Sequence, residues 1–221
     1  RPTDLEGAKE ILTMVGTAHS PVIIAGSGVW YADAGEPLRE FAERTGIPVF
    51  TGNSGRGTLS DTHSLCFGSS LAIRPGAAFF ALASADLVLF LGSRLSLFYL
   101  FGDIFRKDAK FIQADIEAEE IGRNRSVDLG VVGDVRALLV ELNRLVEAER
   151  GGEGLRGRFQ GWVEALQNAD VDGKASTQPL WKSEAVPIHP LRLAREIDTF
   201  MGREDDIVVA DGGDTQVCMG M

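Results

Sequence analysis

Cysteine, histidine and basic residues are all scarce in this chain, and each shortage closes off a class of function. The two cysteines, Cys66 and Cys218, stand far apart and lack metal-ligand spacing. That excludes a disulfide scaffold or a zinc ribbon and implies reduced thiols in a cytoplasmic setting. The three histidines, His19, His63 and His189, form no H-x-x-x-H or related pattern, so no metal site is read from them. Lys and Arg number 22 against 32 Asp and Glu, a net charge of −10. This balance speaks against nucleic acid or an anionic membrane as partner, since both call for basic patches. No apolar run reaches the ~18 residues of a membrane span. The chain has no initiating Met; Arg1-Pro2-Thr3-Asp4 leads into an amphipathic helix and not into a signal peptide. The sequence therefore reads as processed, or as cut from something longer.

What is present is a core-former. A chain of 221 residues with 44% hydrophobic content makes one large or two small domains. Periodicity predicts a helix over 5–17, capped by Asp4 or Thr3, a strand over 21–25, a helix over 34–45 ended by Gly46, and a strand over 47–51. Residues 52–68 hold four glycines among Ser, Thr, Asn and Asp and read as a long loop. A buried helix over 75–85 precedes Leu87 to Leu91, apolar at every position as a strand covered on both faces should be. Residues 95–105 are apolar and aromatic, and no period assigns them a structure. Strands are expected over 110–114 and 128–132, a helical turn over 117–121 and a helix over 135–150. Beyond, 151–157 reads as a linker, 159–166 as a short helix and 171–181 as an extended connector. Residues 188–200 read as helix and 207–210 as a strand that feeds the turn Asp211 to Thr215. The alternation is that of an α/β fold: an open, Rossmann-like parallel sheet with helices on both faces, followed by a linker and an incomplete second α/β unit.

Ligands of such sheets sit outside the carboxyl ends of the strands. Gly26-Ser27-Gly28 ends the first strand in a glycine turn of the kind that lets backbone approach a phosphate, but Tyr31 stands where a G-x-G-x-x-G fingerprint needs its third glycine. A strand-to-helix turn with no ligand is the alternative. Asp115 ends another strand, where a carboxylate can accept both hydroxyls of a ribose or simply cap the turn that follows. Arg94 suits a pyrophosphate or a surface ion pair. Gly133, Asp134 and Val135 can frame a purine edge, with Asp134 read first as a helix cap. His63 and Asp61 read as braces of the long loop, Glu117, Glu119 and Glu120 as a solvated face, and Trp162 and Trp181 as packing.

Six stretches in order carry a resemblance: PVIIAGSGV (21–29), GIPVFTGNSGRGTLSDTHSLCFG (46–68), ADLVLFLGSRLS (85–96), FIQADIEAEEIGRNRSVDLGVVGDVRALLVEL (111–142), IHPLRLAREI (188–197) and DIVVADGGDTQ (206–216). Together they resemble the thiamine-diphosphate-dependent superfamily of acetolactate synthases, oxalyl-CoA decarboxylases and 2-hydroxyacyl-CoA lyases. The resemblance implies a central nucleotide-binding-type domain over 1–150, a linker over 151–187 and the start of the C-terminal cofactor domain over 188–221. It implies that thiamine diphosphate and Mg²⁺ belong to the full-length parent, held by a glutamate and a Gly-Asp-Gly motif outside this chain, so that the chain carries no catalytic residue and is silent alone.

By matching positions, the resemblance also implies that Gly26, Ser27 and Gly28 line the crevice, Arg94 meets a pyrophosphate, Asp115 and Ile116 the ribose, and Asp134 and Val135 the adenine. The implied ligand is FAD, or ADP or the nucleotide of CoA. FAD-binding members usually carry Phe-Asp-Asp-Arg after the strand, whereas Leu95-Ser96-Leu97-Phe98 stands here, which keeps an adenosine nucleotide or an empty crevice open beside FAD. The parent is expected to act on a 2-keto acid such as pyruvate, or on an acyl-CoA, as a homodimer or homotetramer. A stand-alone nucleotide-binding module is the reading of a different class. A reading frame that continues into Gly-Asp-Gly discriminates against it.

Overall fold

The computed structural model describes residues 4–71, 76–148, 155, 157–203, 205–209, 213 and 218. Its centre is β1 (Pro21–Ala25), buried at every position and flanked on one side by β2 (Val49–Thr51) and on the other by β4 (Leu87–Leu91). Beyond β2 lies β3 (Cys66–Ser69); beyond β4 lie β5 (Lys110–Asp115) and β6 (Leu129–Val132). All pairs are parallel and the order is β3-β2-β1-β4-β5-β6. Strand order reverses between β1 and β4, the point where open α/β sheets leave a crevice.

The twofold period of the strands sorts their side chains into two cores. Ile23, Ala25, Leu87, Leu89, Leu91, Ile112 and Ala114 face one layer. That layer is made by α1 (Leu5–Thr17), α3 (Gly35–Thr45) and α5 (Val135–Ala148); a short helix, α2 (Ser27–Tyr31), lies between β1 and α3. Val22, Ile24, Phe50, Val88, Phe90 and Phe111 face the other, covered by α4 (Ala77–Ser84) and α6 (Gln160–Thr177). Local chemistry sets the ends. Asp4 Oδ1 accepts from Gly7 N at 2.9 Å to cap α1, and Gly46 ends α3 at φ 76° with its N–H on Ala42 O. A last helix, α7 (Pro190–Phe200), starts at His189, whose Nδ1 accepts from Leu191 N at 3.2 Å.

Three sequence expectations change, and one stretch that the sequence left open takes a structure. The long loop over 52–68 closes with β3, an edge strand that pairs with β2 across a register shift, and contains a 3₁₀ turn at Asn53–Gly55. Its glycine and serine content hides a strand that only its partner's open edge selects. The stretch 95–105, which has no period of its own, makes a 3₁₀ segment at Leu97–Gly102 in which Leu100 and Phe101 take positive φ. The extended connector over 171–181 is helix as far as Thr177, then a 3₁₀ turn at Gln178–Lys182. Its period is weak because few of its residues are apolar; Leu166 and Trp162 carry the packing, with the Trp162 ring 5.5 Å from Phe80 and its Nε1 donating to Pro21 O at 3.0 Å. Residues 207–209 form no strand, since no strand among the described residues lies beside them to complete a ladder; Ile207 and Val209 are exposed. Ala210 and, apart from Gly213, the turn over 211–215 lie outside the described residues, as do Glu149, Arg150 and most of the 151–157 linker.

Candidate functional site

Just past the carboxyl ends of the strands the backbones stay in step. Gly26 N donates to Leu91 O (2.9 Å), Gly28 N to Gly92 O (2.9 Å), Gly92 N to Ala114 O (2.8 Å) and Gly133 N to Asp115 O (2.9 Å). This staircase forms one side of a crevice of about 530 Å³ at the switch point, a size within the usual range for small-molecule pockets. Its lining includes Ser27 and Gly28 after β1, Gly92 and Arg94 after β4, Asp115, Ile116 and Glu117 at the end of β5, and Gly133, Asp134 and Val135 after β6.

The glycine turn has a different job from the one its sequence suggests. The amides of both its glycines are spent on the protein itself: Gly26 and Gly28 donate to the β4 segment, and Val29 N donates to Gly26 O at 3.1 Å. A Cβ on Gly28 would lie 2.6 Å from Gly92 Cα, and one on Gly26 2.3 Å from Gly92 O. The glycines let the β1 and β4 exits touch, and their own two amides are committed there. Gly26 is the N-cap of α2 and is not among the lining residues, whereas Ser27 and Gly28 are. Tyr31, in the place of the third glycine, also lines the crevice and is 84% exposed, so it forms a rim.

Asp115 is the crevice's most buried acid, 8% exposed. Its Oδ1 accepts from Glu117 N at 3.0 Å, so it caps the following turn as well as lining the crevice. Burial pushes its carboxyl above the usual aspartate range, against the opposing pull of the Glu117 N–H. Arg94, largely exposed, places Nε 3.4 Å from Glu120 Oε1. Glu120 also holds Arg123 at 3.0 Å, and buried Gln113 fixes that turn by donating to Glu120 O and accepting from Gly122 N. Arg94 is thus the ion-pair partner that one of its two sequence readings expects, and it also lines the crevice. Asp134 caps α5 by accepting from Ala137 N at 2.9 Å.

Sequence reasoning missed Tyr31, Ala32 and Gly92 as lining residues and set Glu117 on a solvated face. The strand ends at Gly92 and Gly133 were the available signal. For Tyr31 and Ala32 there was none, because the turn of α2 decides where they point. His63 braces its loop as expected, with Nε2 3.1 Å from Glu43 Oε1 and Nδ1 accepting from Leu65 N; Asp61 pairs with Arg56 instead. Burial raises the Cys66 thiol, against a reactive role.

Among the described residues no group of three or more His, Cys, Asp or Glu side chains is placed to hold a metal ion. No helix among them is long and apolar enough to cross a membrane.

Comparison with known proteins fits this architecture. The chain is 29% identical to a probable acetolactate synthase large subunit of Methanococcus aeolicus, covering 96% of this chain and 36% of that one. It is 37% identical to the acetolactate synthase large subunit of Corynebacterium glutamicum over 76% of this chain and 27% of that one. A 2-hydroxyacyl-CoA lyase of Arabidopsis thaliana is 29% identical over 96% of this chain and 36% of its own. The chain therefore spans about a third of the length of these relatives. Benzoylformate decarboxylase from Polynucleobacter necessarius shares the fold at TM-score 0.56 and 22% identity, over 66% of this chain and 28% of that one. The family profile of the thiamine pyrophosphate enzyme central domain matches residues 8–142, well over half the sequence, and the chain belongs to that family.

Proposed function

We propose that this chain is the central, nucleotide-binding-type part of an acetolactate-synthase-like enzyme. The parent decarboxylates a 2-keto acid such as pyruvate and joins the remaining two-carbon unit to a second carbonyl compound. Thiamine diphosphate supplies the electron sink for that chemistry, with Mg²⁺, from parts of the parent beyond these residues. This chain contributes the crevice at the β1–β4 switch point. The reading of that crevice as the seat of an adenosine nucleotide, free or as part of FAD or CoA, rests on one observation. Asp115, Ile116, Asp134 and Val135 meet Arg94 and Ser27 around a single opening at the strand ends. A carboxylate there matches the paired hydroxyls of a ribose. The parent is proposed to be a cytoplasmic homodimer or homotetramer.

A second reading keeps the family and changes the substrate to an acyl-CoA. The equal cover of the 2-hydroxyacyl-CoA lyase and the absence of the flavin-type stretch at 95–98 favour it. Two measurements separate the readings. Thermal-shift and calorimetric titrations of this chain with FAD, ADP, CoA and NAD test the crevice; no response to any of them overturns the nucleotide reading. Assays of the full-length gene product for acetolactate from pyruvate, and for cleavage of a 2-hydroxyacyl-CoA, decide the reaction.

A further inference from the structure

Resting on the nucleotide reading of the crevice, we infer that it selects a nucleotide whose ribose hydroxyls are both free and turns away one carrying a 2′- or 3′-phosphate. The observation is the charge of the lining. Three carboxylates, Asp115, Glu117 and Asp134, face the opening against one guanidinium, Arg94. That guanidinium is already engaged by Glu120 at 3.4 Å. A phosphate on the ribose needs an arginine or lysine at the site where a free diol needs a carboxylate. The end of β5 offers the second arrangement only: Asp115 is followed by Ile116 and Glu117, and both line the crevice with it. Among the described residues no lysine lines the crevice. The amides of Gly26, Gly28 and Gly92 are committed to carbonyls of neighbouring strand ends. The N-terminus of α5 is capped by Asp134 itself. A ribose phosphate at Asp115 would thus sit against a like charge, with Arg94 as the lining's cation and already paired to Glu120, in a partly buried site where such repulsion is poorly screened.

Coenzyme A carries its extra phosphate on the ribose 3′ carbon, so this crevice suits ADP or an ADP-containing dinucleotide and excludes the CoA nucleotide. A parent that acts on acyl-CoA would have to seat the substrate's nucleotide elsewhere.

The test compares isomers of one composition, in which a phosphate moves from the 5′ chain to the ribose; the variants separate the effect of the lining from the extra negative charge that two phosphomonoesters carry over a diphosphate. The chain is titrated calorimetrically with ADP, with adenosine 3′,5′-bisphosphate and with adenosine 2′,5′-bisphosphate. ADP is expected to bind at least about tenfold tighter than either bisphosphate. Asp115→Asn retains an acceptor oxygen for Glu117 N and should shrink the ratio to about threefold or less; Glu117→Gln, at an exposed position, should shrink it in the same direction. Bisphosphates that bind as tightly as ADP sink the selectivity while leaving the nucleotide reading intact. A ratio unmoved in both variants, with circular dichroism showing folded protein, also overturns it. Failure of all three ligands to bind overturns the nucleotide reading and the selectivity with it.

Discussion

Gly28 and Gly92 face each other across the exits of β1 and β4, each leaving room for the other's backbone. A Cβ on either would fall 2.6 Å from the opposing Cα, and Gly92 also holds φ at +54°. Gly28→Ala must therefore push two strand exits apart, and is expected to cost roughly 2–3 kcal/mol, read as a fall in melting temperature of several degrees. Gly16, in α1, has open space where a Cβ would stand, with no neighbour within 4 Å, and Gly16→Ala should stabilise by about 0.5–1 kcal/mol. If both substitutions behave alike, the close-packing account of the glycine turn is wrong. Asp115 gives the pH prediction. Its folded pKa is raised, chiefly by burial. Between the ordinary aspartate range and that raised value the folded chain keeps a proton that the unfolded chain has lost. Stability from this group therefore falls as pH rises through the window and stays at its lower level above it. Asp115→Asn removes the penalty and keeps the cap. Melting curves should show the variant gaining on the wild type as pH rises from about 4 to 7; a gain that shrinks over that range rejects the assignment.

At the scale of elements, the glycine-poor apolar strands β1 and β4 were legible, because five consecutive apolar residues bounded by turn signals have few other uses. β3 and the second half of α6 were not. β3 has an edge position and a glycine-containing sequence, and its identity as a strand comes from β2. Residues 171–177 have little helical periodicity of their own, and extend a helix whose earlier turns are held on α4. This makes α6 part of the sheet's second face and not a tether. Leu166 is fully buried there, so Leu166→Ala is expected to cost about 2–4 kcal/mol, measured by denaturant unfolding with unchanged slope. A cost under about 0.5 kcal/mol would return α6 to the status of a linker. Arg125 shows the same dependence on distant partners. Its guanidinium bonds Gly102 O and Arg106 O and lies over the Phe111 ring, which ties the 97–102 segment to β5. Nothing in its neighbours along the chain announces that role.

Across the whole molecule, strand order turns separate loops into one crevice inside a chain of net charge −10. Anionic nucleotides approach such a site against repulsion. ADP affinity is therefore expected to hold steady or rise a few-fold between about 20 and 200 mM salt; a steep fall would mean that phosphate contacts with basic groups dominate and that the acidic lining does not matter. The sequence by itself determined the α/β class, the family, the main strands and most of the residues around the crevice, because strand ends carry their glycines and acids in local order. Tertiary structure alone decided three things. It showed that the Gly26 and Gly28 amides serve the β4 exit, that Tyr31 and Glu117 join the lining, and that Glu120 pairs with Arg94. Each depends on which strand ends become neighbours, and that is a property of sheet order, to which no local pattern of residues has access.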